Sequence, residues 1–119
     1  MIFMHIVDDY YLQGILASMK QKKWWSKNAP DDKRYKYDYV WALIMHAFSW
    51  SFMVILPPLY LFNLSFSKLE ILVIFLSNIV IHGVTDHIKA NLLKINLIQD
   101  QLIHIAQIIL TAIICCYIL

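Results

Sequence analysis

The chain has 119 residues, of which 61% are apolar and only 15% charged, with a mean hydropathy of +0.60. Soluble domains are about 45–50% apolar and about 25% charged, and a domain this short has too little polar surface to clothe so much hydrocarbon in water. The formal charge of +2 is too small to imply a nucleic-acid partner, and a single integral membrane domain over residues 1–119 is indicated.

Two glycines and three prolines leave most of the chain free to be helical. The expected fold is all-α: a membrane bundle of about four transmembrane helices, over roughly 2–20, 39–62, 69–88 and 97–119. The opening Met1-Ile-Phe-Met-His5 has no basic n-region, and Asp8 and Asp9 interrupt its apolar stretch, which does not fit a cleavable signal peptide. Residues 2–20 read either as a short fourth crossing or as a re-entrant, half-embedded helix.

Residues 21–38 form a polar, aromatic loop with turn chemistry at Asn28-Ala29-Pro30-Asp31. Helix 39–62 has the length a bilayer needs, with Pro57-Pro58 expected to break or end it near its far end. Residues 63–68 read as a tight turn, 69–88 as the next crossing, 89–96 as the return, and 97–119 as the last crossing. Cys115 and Cys116 are adjacent, without CxxC spacing, and read as lipid-facing or core residues.

Nine basic residues fall on one side of these spans (Lys20, Lys22, Lys23, Lys27, Lys33, Arg34, Lys36, Lys89, Lys94), and only Lys68 on the other. The positive-inside rule then puts the long loop in the cytoplasm and both termini outside. Trp24, Trp25, Tyr35, Tyr37, Tyr39 and Trp41 flank the loop and suit an interfacial aromatic belt. An RNA-stacking patch is the weaker alternative.

Each apolar segment also carries ionisable residues, at about 2.5–3.5 kcal/mol apiece at a helix centre. His5 and Asp9, His82 and Asp86, and Asp100 and His104 are all four apart, which puts both members on one helix face. Eight acids and five histidines predict fewer than one such pair by chance, and three occur. Depth agrees: at 1.5 Å per residue, His46, His82, His104 and Gln13 lie roughly 9–10 Å in from the basic side and Asp9 roughly 16 Å. His5, at roughly 22 Å, joins that layer only if the first helix is tilted or re-entrant.

Imidazole and carboxylate ligands from facing helices are how bundles hold transition metals. The expected ligand set is His5, Asp9, His46, His82, Asp86, Asp100 and His104, for a divalent ion: zinc first, manganese or iron next. Asp9, Asp86 and Asp100 are the expected catalytic carboxylates, since a metal with an open position activates water near neutral pH and a spare carboxylate serves as base. Gln13, Lys89 and Gln101 are the expected supporting residues around them. The blander readings make His46 a hydrogen-bonded packing residue, His87 a solvated or headgroup-contacting histidine at a helix end, and Asp8 a capping or polar-side residue. Asp31, Asp32 and Asp38 belong to the solvated loop, and Met45, Phe48, Phe52 and Met53 to ordinary packing. A faint parallel repeat pairs helices one and two with three and four.

The order of these residues, His5-x3-Asp9-Tyr10-x-Leu12-Gln13 followed by Lys20 to Lys23, then His46, then His82-x3-Asp86-x2-Lys89, then Asp100-Gln101-x2-His104, resembles the uncharacterised bacterial and phage membrane family known as domain-of-unknown-function family 3307. The resemblance runs over essentially the whole chain, with fewer residues before His5 than relatives carry. It implies the same site residues and no activity. The leading functional expectation is a metal-dependent membrane hydrolase acting on a lipid-linked or amphipathic substrate. The alternatives are an ion- or proton-conducting homo-oligomer, or a small phage-type membrane interaction protein working through Lys22, Lys23, Trp24, Trp25 and Arg34. Membrane lipid is the expected partner in every case.

Overall fold

The structure, a computed structural model, describes residues 1–30, 33–61 and 67–118. Asp31, Asp32 and most of the expected turn at 63–68 lie outside the described residues. All regular structure among the described residues is helical.

Three long helices form the body: α4 (Asp38–Leu61), α5 (Lys68–Ala90) and α6 (Leu97–Ile118). Among the described residues, three helices are long and apolar enough to cross a membrane, over Lys33–Leu61, Leu69–Ala90 and Leu97–Tyr117. Local sequence starts two of them. Ser67 and Glu70 form a capping box, each side chain bonded to the other's backbone N–H at 3.2 and 2.9 Å. Asn96 and Gln99 do the same before α6, at 2.9 and 3.0 Å. Contrary to expectation, Pro57-Pro58 do not end α4, which continues to Leu61. Helices in apolar surroundings tolerate proline where neighbouring groups re-satisfy the freed carbonyls.

The N-terminal segment is not one helix. A short helix α1 (Ile2–Val7) runs into a π turn over Asp8–Leu12, closed by Gln13 N–H donating to Asp8 O at 2.9 Å. Gly14 then takes φ +51°, a left-handed conformation that suits glycine, and the chain bends into α2 (Leu16–Met19). Met1 packs against Trp50, Val54 and Ile108, midway along α4 and α6, so residues 1–20 cover only half of the bundle's height. The stretch expected as a polar loop holds a further helix, α3 (Lys22–Asn28), and a 3-10 turn over Lys33–Tyr37 that leads into α4.

The packing is inverted relative to a soluble protein. Buried positions on α5 are Asn78, His82, Thr85 and Asp86; on α6 they include Asp100, His104, Gln107 and Thr111. Leu72, Val73, Leu76, Val80, Ile109 and Leu110 face outward. On α4 the inward stripe Ala42, Leu43, His46, Ala47, Trp50, Val54 keeps helical spacing, while Phe48 and Phe52, read from sequence as packing residues, point out. Small residues let α4 and α5 approach: a Cβ on Gly83 would lie 3.5 Å from that of Ala47. An apolar exterior over a polar interior is what a lipid solvent selects.

Candidate metal centre

All four parts of the chain meet at one level. The N-terminal segment contributes His5, Asp8, Asp9, Gln13 and Lys20; α4 contributes His46, Ser49 and Trp50; α5 contributes His82, Asp86 and Lys89; α6 contributes Asp100, Gln101 and His104. His46, His82 and His104 are wholly buried.

Their ring nitrogens converge. His46 Nε2 lies 3.0 Å from His82 Nε2, 3.4 Å from Asp9 Oδ1 and 3.4 Å from Asp86 Oδ2. Asp86 is the hub: its Oδ1 stands 3.3 Å from His104 Nε2, and its Oδ2 lies 3.9 Å from His82 Nε2 and 2.5 Å from Lys20 Nζ. Two groups, Asp9-His46-His82 and His82-Asp86-His104, each offer ligand atoms within 4.8 Å of one another, so they could hold a metal ion. Atoms bound at 2.0–2.2 Å to a tetrahedral zinc would be about 3.3–3.6 Å apart, close to these separations.

Supporting contacts surround this centre. Asp8, expected as a capping or polar-side residue, is instead buried: it accepts from Ser49 Oγ at 2.5 Å and lies 3.5 Å from His46 Nδ1. A carboxylate on the far nitrogen is the arrangement that orients a ligating imidazole. The π turn makes this feasible, since Asp8 and Asp9 take opposite nitrogens of one ring. Lys89 Nζ donates to Asp100 Oδ2 at 2.6 Å, and Gln101 Nε2 reaches the same oxygen at 3.1 Å. Asp100 Oδ1 stands 3.4 Å from His104 Nε2. The Gln13 amide nitrogen is 2.9 Å from His46 Nε2.

His5 joins the cluster but not as an open ligand. The Trp50 indole, which can only donate, gives its N–H to His5 Nδ1 at 2.7 Å. The neutral ring must then carry its proton on Nε2, which donates to Gln101 Oε1 at 3.1 Å. Both nitrogens are in use, so the expected ligand role gives way to a positioning one, and Asp9 Oδ2, 3.4 Å from Nδ1, has no proton to accept there. The bend at Gly14 explains how His5 reaches this level despite its distance along the chain.

Trp50 closes the deep side: its ring stacks on His82 at 4.2 Å, with Val54 and Ile108 beyond. Deeper still, Gln107 donates to Asn78 O and Oδ1 at 2.9 and 2.8 Å, and Thr111 to Asn78 Oδ1 at 3.1 Å, tying α5 to α6. His87 lies outside the cluster, half-buried, stacked on Tyr39 and 3.3 Å from the Asn91 amide.

Sequence reading singled out none of Trp50, Ser49, Asn78, Gln107 and Thr111, and marked Lys20 only through the resemblance. Trp50 and Ser49 were findable, because they lie four and three residues after His46 on its face. The amide and hydroxyl of Gln107 and Thr111 likewise continue the Asp100-His104 stripe. Lys20 had no helical-spacing signal, only its place after Gln13 in the motif order. No family model matches the chain, and no curated protein or solved structure matches it either.

Proposed function

We propose that Asp9, His46, His82, Asp86 and His104 hold one divalent transition metal ion, zinc ahead of manganese or iron, and that the ion serves hydrolysis of a lipid-linked or amphipathic substrate. The observation that carries this reading is charge. Asp8, Asp9, Asp86 and Asp100 have side chains no more than 10% exposed, and the ammonium groups facing them are Lys20 and Lys89. If the imidazoles are neutral, as ligating ones are, two negative charges remain in an apolar medium for a divalent cation to balance, whereas an imidazolium at His104, between Asp86 and Asp100, would balance only one of them. Asp8 Oδ2, Asp9 Oδ1 and Asp100 Oδ1 are all buried without a hydrogen-bond donor, as carboxylate oxygens in a cluster short of positive charge would be.

A bound divalent ion would supply Lewis acidity and lower the pKa of water. Asp86 and Asp9 serve in this reading as ligands, and Asp100, held by Lys89 and Gln101, as the carboxylate nearest to a base. Access is from the side where Lys20 and Lys89 sit, because Trp50 shuts the other. The motif order that resembles family 3307 is compatible with this ligand set and contributes no activity to it.

We also propose that the basic segments 20–38 and 89–94 face the cytoplasm, supported by the nine-to-one lysine and arginine bias. Residues 1–20 are then half-embedded from that side, with Met1 at mid-depth rather than outside, and the end of α6 lies opposite.

Elemental analysis of protein purified in detergent without chelator tests the metal. About one transition-metal ion per chain, lost in His82→Ala and in His104→Ala, is expected; a metal-free wild type would overturn the reading. A second reading, a proton or ion relay, is favoured by the Asn78-Gln107-Thr111 seam beyond Trp50. Liposome flux abolished by Asp86→Asn in metal-free protein would favour it instead.

A further inference from the structure

Beside the start of α4 lies a cavity of about 670 Å³, built by α3 and the 3-10 turn and lined by none of the metal-centre residues. Lys22, Lys33 and Lys36 line it, together with Trp25, Tyr35 and Tyr39. Trp25 and Tyr35 stack with their planes 14° apart, and Lys22 Nζ sits 5.0 Å from the centre of the Tyr39 ring. The position of the wall is fixed: Trp25 Nε1 donates to Met19 O at 2.6 Å, and Lys22 N–H donates to Asn91 Oδ1 at 2.7 Å, which pins α3 to the end of α5. Among the described residues, none of the three lysines has a carboxylate partner.

We propose that this cavity binds the phosphate headgroup of an anionic membrane lipid. Three ammonium groups around one concavity supply the charge, and tryptophan and tyrosine walls are the side chains that settle at headgroup level. The cavity opens at the end of a helix long and apolar enough to cross the bilayer, and a lipid places its phosphate there with its chains along the apolar face of α4. A free phosphate or an acidic peptide would use the charge but not the position. The site is independent of the metal centre, and its residues are not used there.

The test is native mass spectrometry of the detergent-purified protein with phosphatidylglycerol against phosphatidylcholine of the same chain length. Phosphatidylglycerol should bind at least tenfold more tightly. Lys33→Gln and Lys36→Gln should each weaken it about fivefold, the fold-change of about 1 kcal/mol per basic residue near an anionic surface. Lys33→Arg/Lys36→Arg should retain binding, which separates charge from folding. Metal content should stay at its wild-type level in all of these variants, so a failure here is distinct from a failure of the metal assignment. Equal binding of the two lipids, unchanged affinity in Lys33→Gln/Lys36→Gln, or displacement of the lipid by equimolar inorganic phosphate would each overturn the proposal.

Discussion

Asp86 presents one carboxylate oxygen to His104 and the other to Lys20, His46 and His82, so a single amide substitution disturbs four partners at once. Asp86→Asn leaves the Lys20 ammonium buried without its counter-charge, a loss of about 3–5 kcal/mol for a broken buried pair. The thermal midpoint in detergent should fall accordingly, and bound metal should disappear. Adding Lys20→Gln should restore part of the stability and none of the metal, because it removes the stranded charge without rebuilding a ligand. Trp50→Phe separates the opposite properties. Phenylalanine can still lie on His82, but His5 Nδ1 loses its donor, at about 1–3 kcal/mol for an unsatisfied buried acceptor. Lower Tm with retained metal is the expected pair of readings, since His5 positions the site without ligating it.

At the level of elements, the long helices were legible in the sequence to within a residue or two at most ends, because the apolar length of a crossing follows directly from bilayer thickness. The pairs His82-Asp86 and Asp100-His104 were legible for the same reason: spacing of four is a property of the helix itself. The N-terminal segment was not. A π turn has no periodicity that five residues can display, so the adjacent Asp8 and Asp9 looked like one inward and one outward residue. Only Gly14 marked the bend, and an isolated glycine has many explanations. Gly14→Ala tests whether that bend builds the site. A left-handed alanine costs roughly 1–2 kcal/mol, and relaxing it would swing Lys20 and Gln13 away from Asp86 and His46. Weaker metal binding together with lower stability is expected, measured by competition with a chromogenic chelator.

For the whole molecule, the polar interior means that lipid packing contributes little to discriminating folded from misfolded bundles, and the buried network has to do so. Removing the metal with a chelator should therefore lower Tm, by an amount equivalent to about 2.7 kcal/mol when free metal had stood at a hundredfold over Kd. The sidedness, which charge bias suggests and packing does not decide, is open to cysteine labelling. With Cys115 and Cys116 replaced by serine, a single cysteine at Asn28 should react with an impermeant maleimide only from the cytoplasmic face. The half-height arm carries a consequence for biogenesis. His5 bonds to Gln101 across 96 positions of sequence, so the N-terminal segment can set Asp8 and Asp9 against His46 and Ser49 once α4 is present but must wait for α6 before His5 finds its partner. The centre therefore closes as a late docking event, once α6 brings Asp100, Gln101 and His104 to it.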